Sequence, residues 1–213
     1  IPVVNVDIPK KRVAEAKEMV TSLVGWEKEF PWHQNTKPSS DNSLESMLRR
    51  TWKPTMTVIG ADGIPSIKDG GNVLLPYAAL NLSFRLPPTA DCKLAMEAVE
   101  TILLNNPPND AKISIKWEKS ANGWNAPDNK KWLNQAIDDA SQVIFNSPAR
   151  AMGEGGTIPF MAMLGEKFPM AQFVITGVLG PNSNAHGPNE FIHIPFAKKL
   201  NTCIALILSH YSR

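Results

Sequence analysis

A chain of 213 residues and 23.4 kDa with 43% hydrophobic and 20% charged residues has the composition of a folded protein of one or two domains. Lysine and arginine number 22 against 20 aspartates and glutamates, and the basic residues form no long run, which argues against nucleic acid as a partner. The apolar stretch Ile204–Leu208 is far shorter than the roughly 20 residues that span a bilayer, so no membrane partner is expected either.

The first half of the chain predicts short elements separated by proline and glycine. Residues 11–24 carry apolar side chains at helical spacing and predict a helix, whereas the polar residues 25–42 predict an irregular loop. A β-branched run over 55–59 predicts a strand. Residues 80–86 alternate strictly between apolar and polar, which predicts a strand with Asn81, Ser83 and Arg85 on one face.

A helix and a further strand follow in the predicted order. Asp91 is expected to cap a helix with an apolar stripe over 95–103, and residues 112–117 alternate as a second half-polar strand. Together these elements predict a small antiparallel sheet with helices on one side. The character changes near residue 120, so we predict one domain over 1–119 and a second over 120–213.

The second domain predicts α/β layering. Asp128 is expected to cap a helix, and a glycine-rich turn over 153–156 leads into another helix that Thr157 caps, with Pro159 in its first turn. The almost wholly apolar residues 173–179 predict a strand buried on both faces. A polar loop then leads to a final helix from Pro195.

The two cysteines lie 111 positions apart in apolar contexts, without a second cysteine or a histidine at metal-ligand spacing. Cys92 and Cys203 therefore predict two reduced core thiols in a cytoplasmic protein rather than a disulfide framework. The sequence starts at Ile1 without an initiator methionine or a signal peptide, and we expect it to be cut from a longer protein.

Three candidate sites each have a functional and a structural interpretation. His186 follows the predicted buried strand, where open α/β sheets bind ligands and an imidazole suits zinc, but a surface-loop histidine fits as well. The turn at Glu154 could offer backbone N–H groups to an anion, or simply begin a helix. Arg85 could bind a carboxylate or be a solvated strand residue. His193 is expected to be a helix cap or packing residue.

The combination of motifs is more specific than any one of them. Five motifs follow one another along the chain: Trp52-Lys53-Pro54, Gly71–Pro76, Phe84–Pro87, Glu154-Gly155-Gly156-Thr157 and Asn184-Ala185-His186. This arrangement resembles the co-catalytic metallopeptidases that include the carnosine dipeptidases, aminoacylase and carboxypeptidase G. The resemblance covers nearly the whole chain.

The resemblance implies a fold, a chemistry and a set of site residues. It implies the end of an α/β catalytic domain with two metal ions, zinc or manganese, preceded by a ferredoxin-like lid, incomplete at its start, through which the protein forms a homodimer. A metal-bridging water activated by a glutamate would attack an amide carbonyl. His186 matches a metal ligand, and Asn72 and Arg85 match lid residues that hold the substrate carboxylate or carbonyl, often across the dimer. Glu154, Gly156 and Thr157 match the loop that contacts the substrate backbone and its amino end.

The family's H-x-D motif, its bridging aspartate and its adjacent glutamate pair all precede the lid, and none is present in this sequence. We therefore expect no activity from this chain alone, and a parent that hydrolyses dipeptides or small peptides with a free C-terminal carboxylate. Two alternatives stay open. One is an N-acyl amino acid amidohydrolase of the same clan, and the other is a non-catalytic dimerisation or binding module.

Overall fold

The computed structural model describes residues 1–23, 25, 30, 32–155, 159–180 and 182–211. Over these residues the chain has a mixed α/β fold with one two-stranded antiparallel sheet, so the predicted fold class is confirmed. The elements are α1 (Lys10–Ser22), α2 (Ser43–Trp52), β1 (Thr55–Asp62), β2 (Ala79–Arg85), α3 (Cys92–Leu104), α4 (Lys131–Phe145), α5 (Pro159–Lys167) and α6 (Ile194–Tyr211). Within the described ranges, no helix is long and apolar enough to cross a membrane.

Helices α1 and α2 pack against each other around a small apolar core. The α1 helix is confirmed, and Ala16 on its predicted apolar face is buried. The predictions above do not include α2, although its start carries a signal: the Asn42 side chain accepts a hydrogen bond from the backbone N–H of Glu45 at 3.0 Å. The buried side chains of this core are Ala16, Met47, Leu48 and Trp52.

Strands β1 and β2 form an antiparallel hairpin, as the alternating pattern predicts for β2. Thr55 pairs with Arg85 and Thr57 pairs with Ser83, and the register shifts at a bulge between Val58 and Gly60. Since side chains alternate between the two faces of a strand, residues 55, 57, 83 and 85 share one face of the hairpin. The predicted polar face of β2 is therefore matched by hydroxyl groups of β1.

Helix α3 begins as predicted. The Asp91 carboxylate accepts hydrogen bonds from the backbone N–H groups of Lys93 and Leu94, at 2.8 and 3.1 Å. Asn122 adds a third at this helix start by accepting from the N–H of Cys92 at 2.9 Å. Ala95 and Val99 of the predicted stripe are buried, whereas Ile102 and Leu103 at its end are 56% and 38% exposed.

Helices α4 and α6 pack antiparallel. The ring centroids of Phe145 and Phe196 lie 5.3 Å apart at one end, and those of Trp132 and Tyr211 lie 5.5 Å apart at the other. Between them the Cys203 thiol donates to a backbone carbonyl of α4 at 3.5 Å, and its burial raises the pKa of that thiol. Both cysteines are buried free thiols, as predicted.

Two predicted strands are wrong. Residues 112–117 and 173–179 form no ladder with another strand, and the second segment is exposed, with Val174, Ile175 and Leu179 at 42%, 57% and 63%. Both patterns are local, whereas a strand exists only where a neighbour supplies hydrogen bonds. A strand buried on both faces needs neighbours that cover both. In this segment the Phe173 ring packs against Trp124 with centroids 5.1 Å apart, but most of the residues after it are exposed.

The predicted cap of α4 is also wrong. The helix begins at Lys131, and Asp128 instead accepts a hydrogen bond from the Lys11 ammonium, which holds the pKa of that carboxyl below its ordinary value. The N–H of Lys130 is satisfied by the side chain of Gln172 at 2.6 Å. The ion pair with Lys11 joins the two predicted domains, whose division near residue 120 stays a prediction.

Candidate functional site

A polar pocket of about 250 Å³ lies between the last turn of α2 and one face of the hairpin. Each side chain that lines it carries hydrogen-bond donors, because the cross-strand register gathers hydroxyls and a guanidinium on this face while α2 contributes two more guanidinium groups. The lining residues are Arg49, Arg50, Thr55, Thr57, Ser83 and Arg85. The arrangement suits an anion.

Arg85 is the predicted site residue at the centre of this arrangement. Among the described residues no hydrogen-bond or ion-pair partner is found for its side chain. Its Nη1 lies so close to Gly155 that a methyl group on that glycine would be nearer than 3.0 Å. The fold therefore brings Arg85 to the glycine-rich turn, although 70 positions separate Arg85 from Gly155 in the sequence.

Glu154, the predicted ligand for a substrate ammonium, is held by an arginine that the predictions missed. Its carboxylate lies 2.6 Å from Nη2 of Arg50, and the two side chains are 63% and 35% exposed. No sequence signal joins positions 104 residues apart, so only the fold reveals this pair. Gly156 and Thr157, the other predicted residues of this loop, lie outside the described residues.

The glycine-rich turn is seated directly on the end of α2. A methyl group on Gly153 would lie 3.1 Å from Cγ2 of Thr51, and one on Gly155 would overlap the carbonyl oxygen of Arg50. The contact at Gly153 is tighter than ordinary van der Waals packing, and the contact at Gly155 leaves no room for a side chain. Small residues at 153 and 155 therefore allow the turn to approach both α2 and the guanidinium of Arg85.

The neighbouring charges leave the pocket cationic. Arg49 donates to Glu45 at 2.8 Å and to the hydroxyl of Ser39 at 3.1 Å, and Lys53 donates to Glu45 at 2.6 Å. The hydrogen bond from Lys53, followed by that from Arg49, lowers the pKa of Glu45. Glu45 and Glu154, two carboxylates next to the pocket-lining arginines, are thus already paired and do not line it.

His186, the predicted metal ligand, lies in an exposed loop of tight turns. Its backbone is left-handed with φ of 60°, and its N–H donates to the Glu190 carboxylate at 3.1 Å. Asn182, Asn184 and Asn189 also have positive φ, a conformation that asparagine tolerates better than most residues. Within the described part of the chain, no hydrogen bond or ion pair joins this loop to the arginine-lined pocket.

The described residues do not complete a metal centre. They contain no group of three or more histidine, cysteine, aspartate or glutamate side chains placed to hold a metal ion. Zinc sites in proteins take three or four protein ligands, so the imidazole of His186 is insufficient by itself. Asn72 lies in the exposed loop between β1 and β2 and does not line the pocket. The substrate and metal roles of these residues stay predictions.

His193 performs the structural role expected for it. Its Nδ1 accepts a hydrogen bond from the backbone N–H of Phe196 at 3.2 Å, which satisfies one of the free donors at the start of α6. This interaction makes His193 a helix cap and leaves His186 as the one histidine of the predicted site.

The family is established by sequence. The profile of Peptidase family M20/M25/M40 matches residues 9–210, so the chain belongs to this family of metallopeptidases. The predicted resemblance is confirmed. A curated relative, cysteinylglycine-S-conjugate dipeptidase of Corynebacterium striatum, is 27% identical over 156 residues, which cover 68% of this chain and 33% of the relative.

Solved structures of the family have the same fold. Human carnosine dipeptidase 1 matches with a TM-score of 0.74 and 16% identity over 99% of this chain and 44% of its own. The dipeptidase Dug1p of Saccharomyces cerevisiae gives 0.71 and 17%, covering all of this chain and 44% of its own. An M20 family metallo-carboxypeptidase of Sulfolobus solfataricus gives 0.73 and 19%, covering 98% and 46%. The chain thus spans less than half the length of the proteins it matches.

Proposed function

We propose that the protein acts as a metal-dependent dipeptidase on dipeptides or small peptides with a free C-terminal carboxylate. The observation that carries this proposal is Arg85, which has no partner among the described side chains and faces a donor-lined pocket beside the glycine-rich turn. Membership of a peptidase family and the dipeptidase relatives support the reaction class. The protein would act in the cytoplasm as a homodimer.

The substrate's C-terminal carboxylate would bind to Arg85. A planar guanidinium presents two parallel N–H groups that match the two oxygens of a carboxylate, which fixes orientation as well as neutralising charge. Glu154 would attract the substrate's amino end while remaining close to Arg50. Asn72, Gly156 and Thr157 would contact the peptide backbone.

Metal dependence is part of the proposal, with two divalent ions, zinc or manganese, of which His186 would bind one. The remaining ligands would have to come from outside the residues described here, because one imidazole does not hold zinc stably. Accordingly we expect the 213-residue chain alone to bind zinc no better than millimolar and to hydrolyse no dipeptide.

The test is hydrolysis of Ala-Gly, Ala-Asp and N-acetylalanine by the purified protein, in its full natural length, before and after treatment with EDTA. We expect turnover of the dipeptides, loss with the chelator and recovery with zinc or manganese. Preference for N-acetylalanine would favour an N-acyl amino acid amidohydrolase, and absence of turnover with every metal would refute the enzymatic assignment. His186→Ala should weaken metal binding measured by calorimetry.

A further inference from the structure

The arginine-lined pocket contains more donors than one carboxylate can use. A bidentate pair with Arg85 satisfies a single carboxylate. Arg50 uses Nη2 on Glu154, and its other N–H groups have no hydrogen-bond partner in the described part of the chain. Thr55, Thr57 and Ser83, each of which carries a hydroxyl group, line the same space of about 250 Å³, a volume that roughly eight liquid-phase waters would occupy.

The hydrogen-bond donors that line the pocket determine which kind of substrate side chain would fit there. An apolar side chain would displace water from these donors without replacing its hydrogen bonds. A neutral amide offers one acceptor but also two N–H groups that would oppose the guanidinium donors, whereas a carboxylate only accepts. A second carboxylate therefore complements the donors that the first leaves unused.

We propose that this pocket binds a C-terminal aspartate or glutamate of the substrate through Arg50, Arg85 and the hydroxyl-bearing residues Thr55, Thr57 and Ser83, while Arg49, which also lines it, stays bonded to Glu45 and Ser39. Arg85 takes the main-chain carboxylate, and Arg50 with the hydroxyls takes the side-chain carboxylate. Glu154 keeps its bond to Nη2 of Arg50 and does not line the pocket, so it leaves room for the second anion. This inference rests on the proposed dipeptidase function and names the substrate class of the same site.

The kinetic test compares isosteric substrates on the metal-loaded, full-length enzyme. Ala-Asp and Ala-Asn have nearly the same size and differ in the charge of the C-terminal side chain. Because the pocket is open to solvent, which screens charges, we expect kcat/KM to favour Ala-Asp by about 10-fold, equivalent to about 1.4 kcal/mol. Equal values for the two dipeptides would overturn the inference and leave the dipeptidase function standing.

Substitutions of pocket residues test which side chain produces the preference for Ala-Asp over Ala-Asn. Arg50→Gln should reduce the Asp-to-Asn ratio of kcat/KM toward one, and Arg50→Lys should retain part of it. Arg85→Gln should lower kcat/KM for both dipeptides alike, since both have the main-chain carboxylate. Lys53→Gln is the matched control on the same helix end: Lys53 pairs with Glu45 outside the pocket, so the ratio should not change. A general loss of folding lowers both rates together and leaves the ratio intact, so a ratio unchanged in Arg50→Gln would refute the role of Arg50.

An equilibrium measurement separates this inference from the proposed function. L-Aspartate and L-asparagine are titrated into the metal-free protein by calorimetry, and aspartate should bind about 10-fold more tightly, with the difference lost in Arg50→Gln. Equal affinities would overturn the inference. If no dipeptide were hydrolysed but aspartate bound selectively, the pocket would stand as an acidic amino-acid site and the dipeptidase function would fall.

Discussion

Replacing Gly155 with alanine tests whether the glycine-rich turn is seated against α2 as tightly as the structure shows. The added methyl group would lie closer than 3.0 Å to the carbonyl oxygen of Arg50 and to Nη1 of Arg85. The guanidinium can move aside, but the carbonyl belongs to the backbone of a helix whose neighbours Thr51 and Trp52 are buried. Relief therefore requires a shift of the turn itself.

The magnitude follows from two opposing effects. Overpacking by one methyl group costs about 1–3 kcal/mol. The reduced conformational freedom of alanine in the unfolded chain returns about 0.4–1 kcal/mol. We expect a net loss of about 1–2 kcal/mol in the free energy of unfolding, which lowers Tm by about 2–8 °C for a protein of this size.

The control is Gly177→Ala, because a methyl group there would meet nothing within 4 Å. This substitution should leave stability unchanged or raise it slightly, by the same unfolded-state effect. Both variants are compared with the wild type by urea unfolding followed by circular dichroism. A Gly155→Ala protein as stable as Gly177→Ala would refute the tight contact. In the active enzyme, Gly155→Ala should also lower kcat/KM beyond the unfolded fraction, because Arg85 is displaced.

Three further predictions follow from individual contacts. Asp91→Ala should lower the free energy of unfolding by about 1 kcal/mol, measured in urea, since α3 loses the cap that two backbone N–H groups use; an unchanged midpoint would mean that Asn122 suffices. Arg85→Lys should reduce dipeptide kcat/KM by about 10- to 100-fold despite the retained charge, because the bidentate geometry is lost, and an unchanged value would make Arg85 an ordinary surface residue. The bond from Lys11 depresses the pKa of Asp128 in the folded state, so its stabilising contribution is present above the unfolded pKa of about 3.9 and disappears as the pH falls through the lower folded value. Lys11→Met should therefore flatten the stability curve in that acidic range, and a curve of unaltered shape would contradict this assignment.

The sequence predicted what depends on local spacing. Strand β2 and the cap at Asp91 both depend on residues close to them in the sequence. Alternation of apolar and polar residues defines the strand, and the Asp91 side chain reaches backbone N–H groups in the first turn of its helix. The same local logic failed for residues 112–117, because alternation fits any extended segment and says nothing about whether another strand lies beside it. It failed again for Asp128, where an ammonium from α1 competes with the helix start.

The residues of the candidate site also divide into those that local sequence spacing can place and those that only the fold brings together. Arg85 could be placed on the polar face of its strand by counting, and the resemblance gave Arg85 and the turn at Glu154 separate roles in binding substrate. The contact between them is seen only in the folded chain. Arg50 could not be found in this way, because its partner lies 104 positions away and its helix was not predicted. The capping signal at Asn42 and Glu45 would have revealed that helix, but not the direction of its arginines.

The meeting of three segments at one point explains why the pocket exists only in the folded chain. The hairpin supplies Arg85, and the end of α2 supplies Arg50. The turn at 153–155 contacts both: Glu154 forms an ion pair with Arg50, and Gly155 packs closely against the carbonyl of Arg50 and the guanidinium of Arg85. An exposed ion pair contributes only about 0.2–1 kcal/mol to stability, so the pair between Arg50 and Glu154 adds little to the stability of the fold. The pair joins α2 to the turn beside Arg85, a guanidinium with no partner among the described side chains that would bind the substrate's carboxylate.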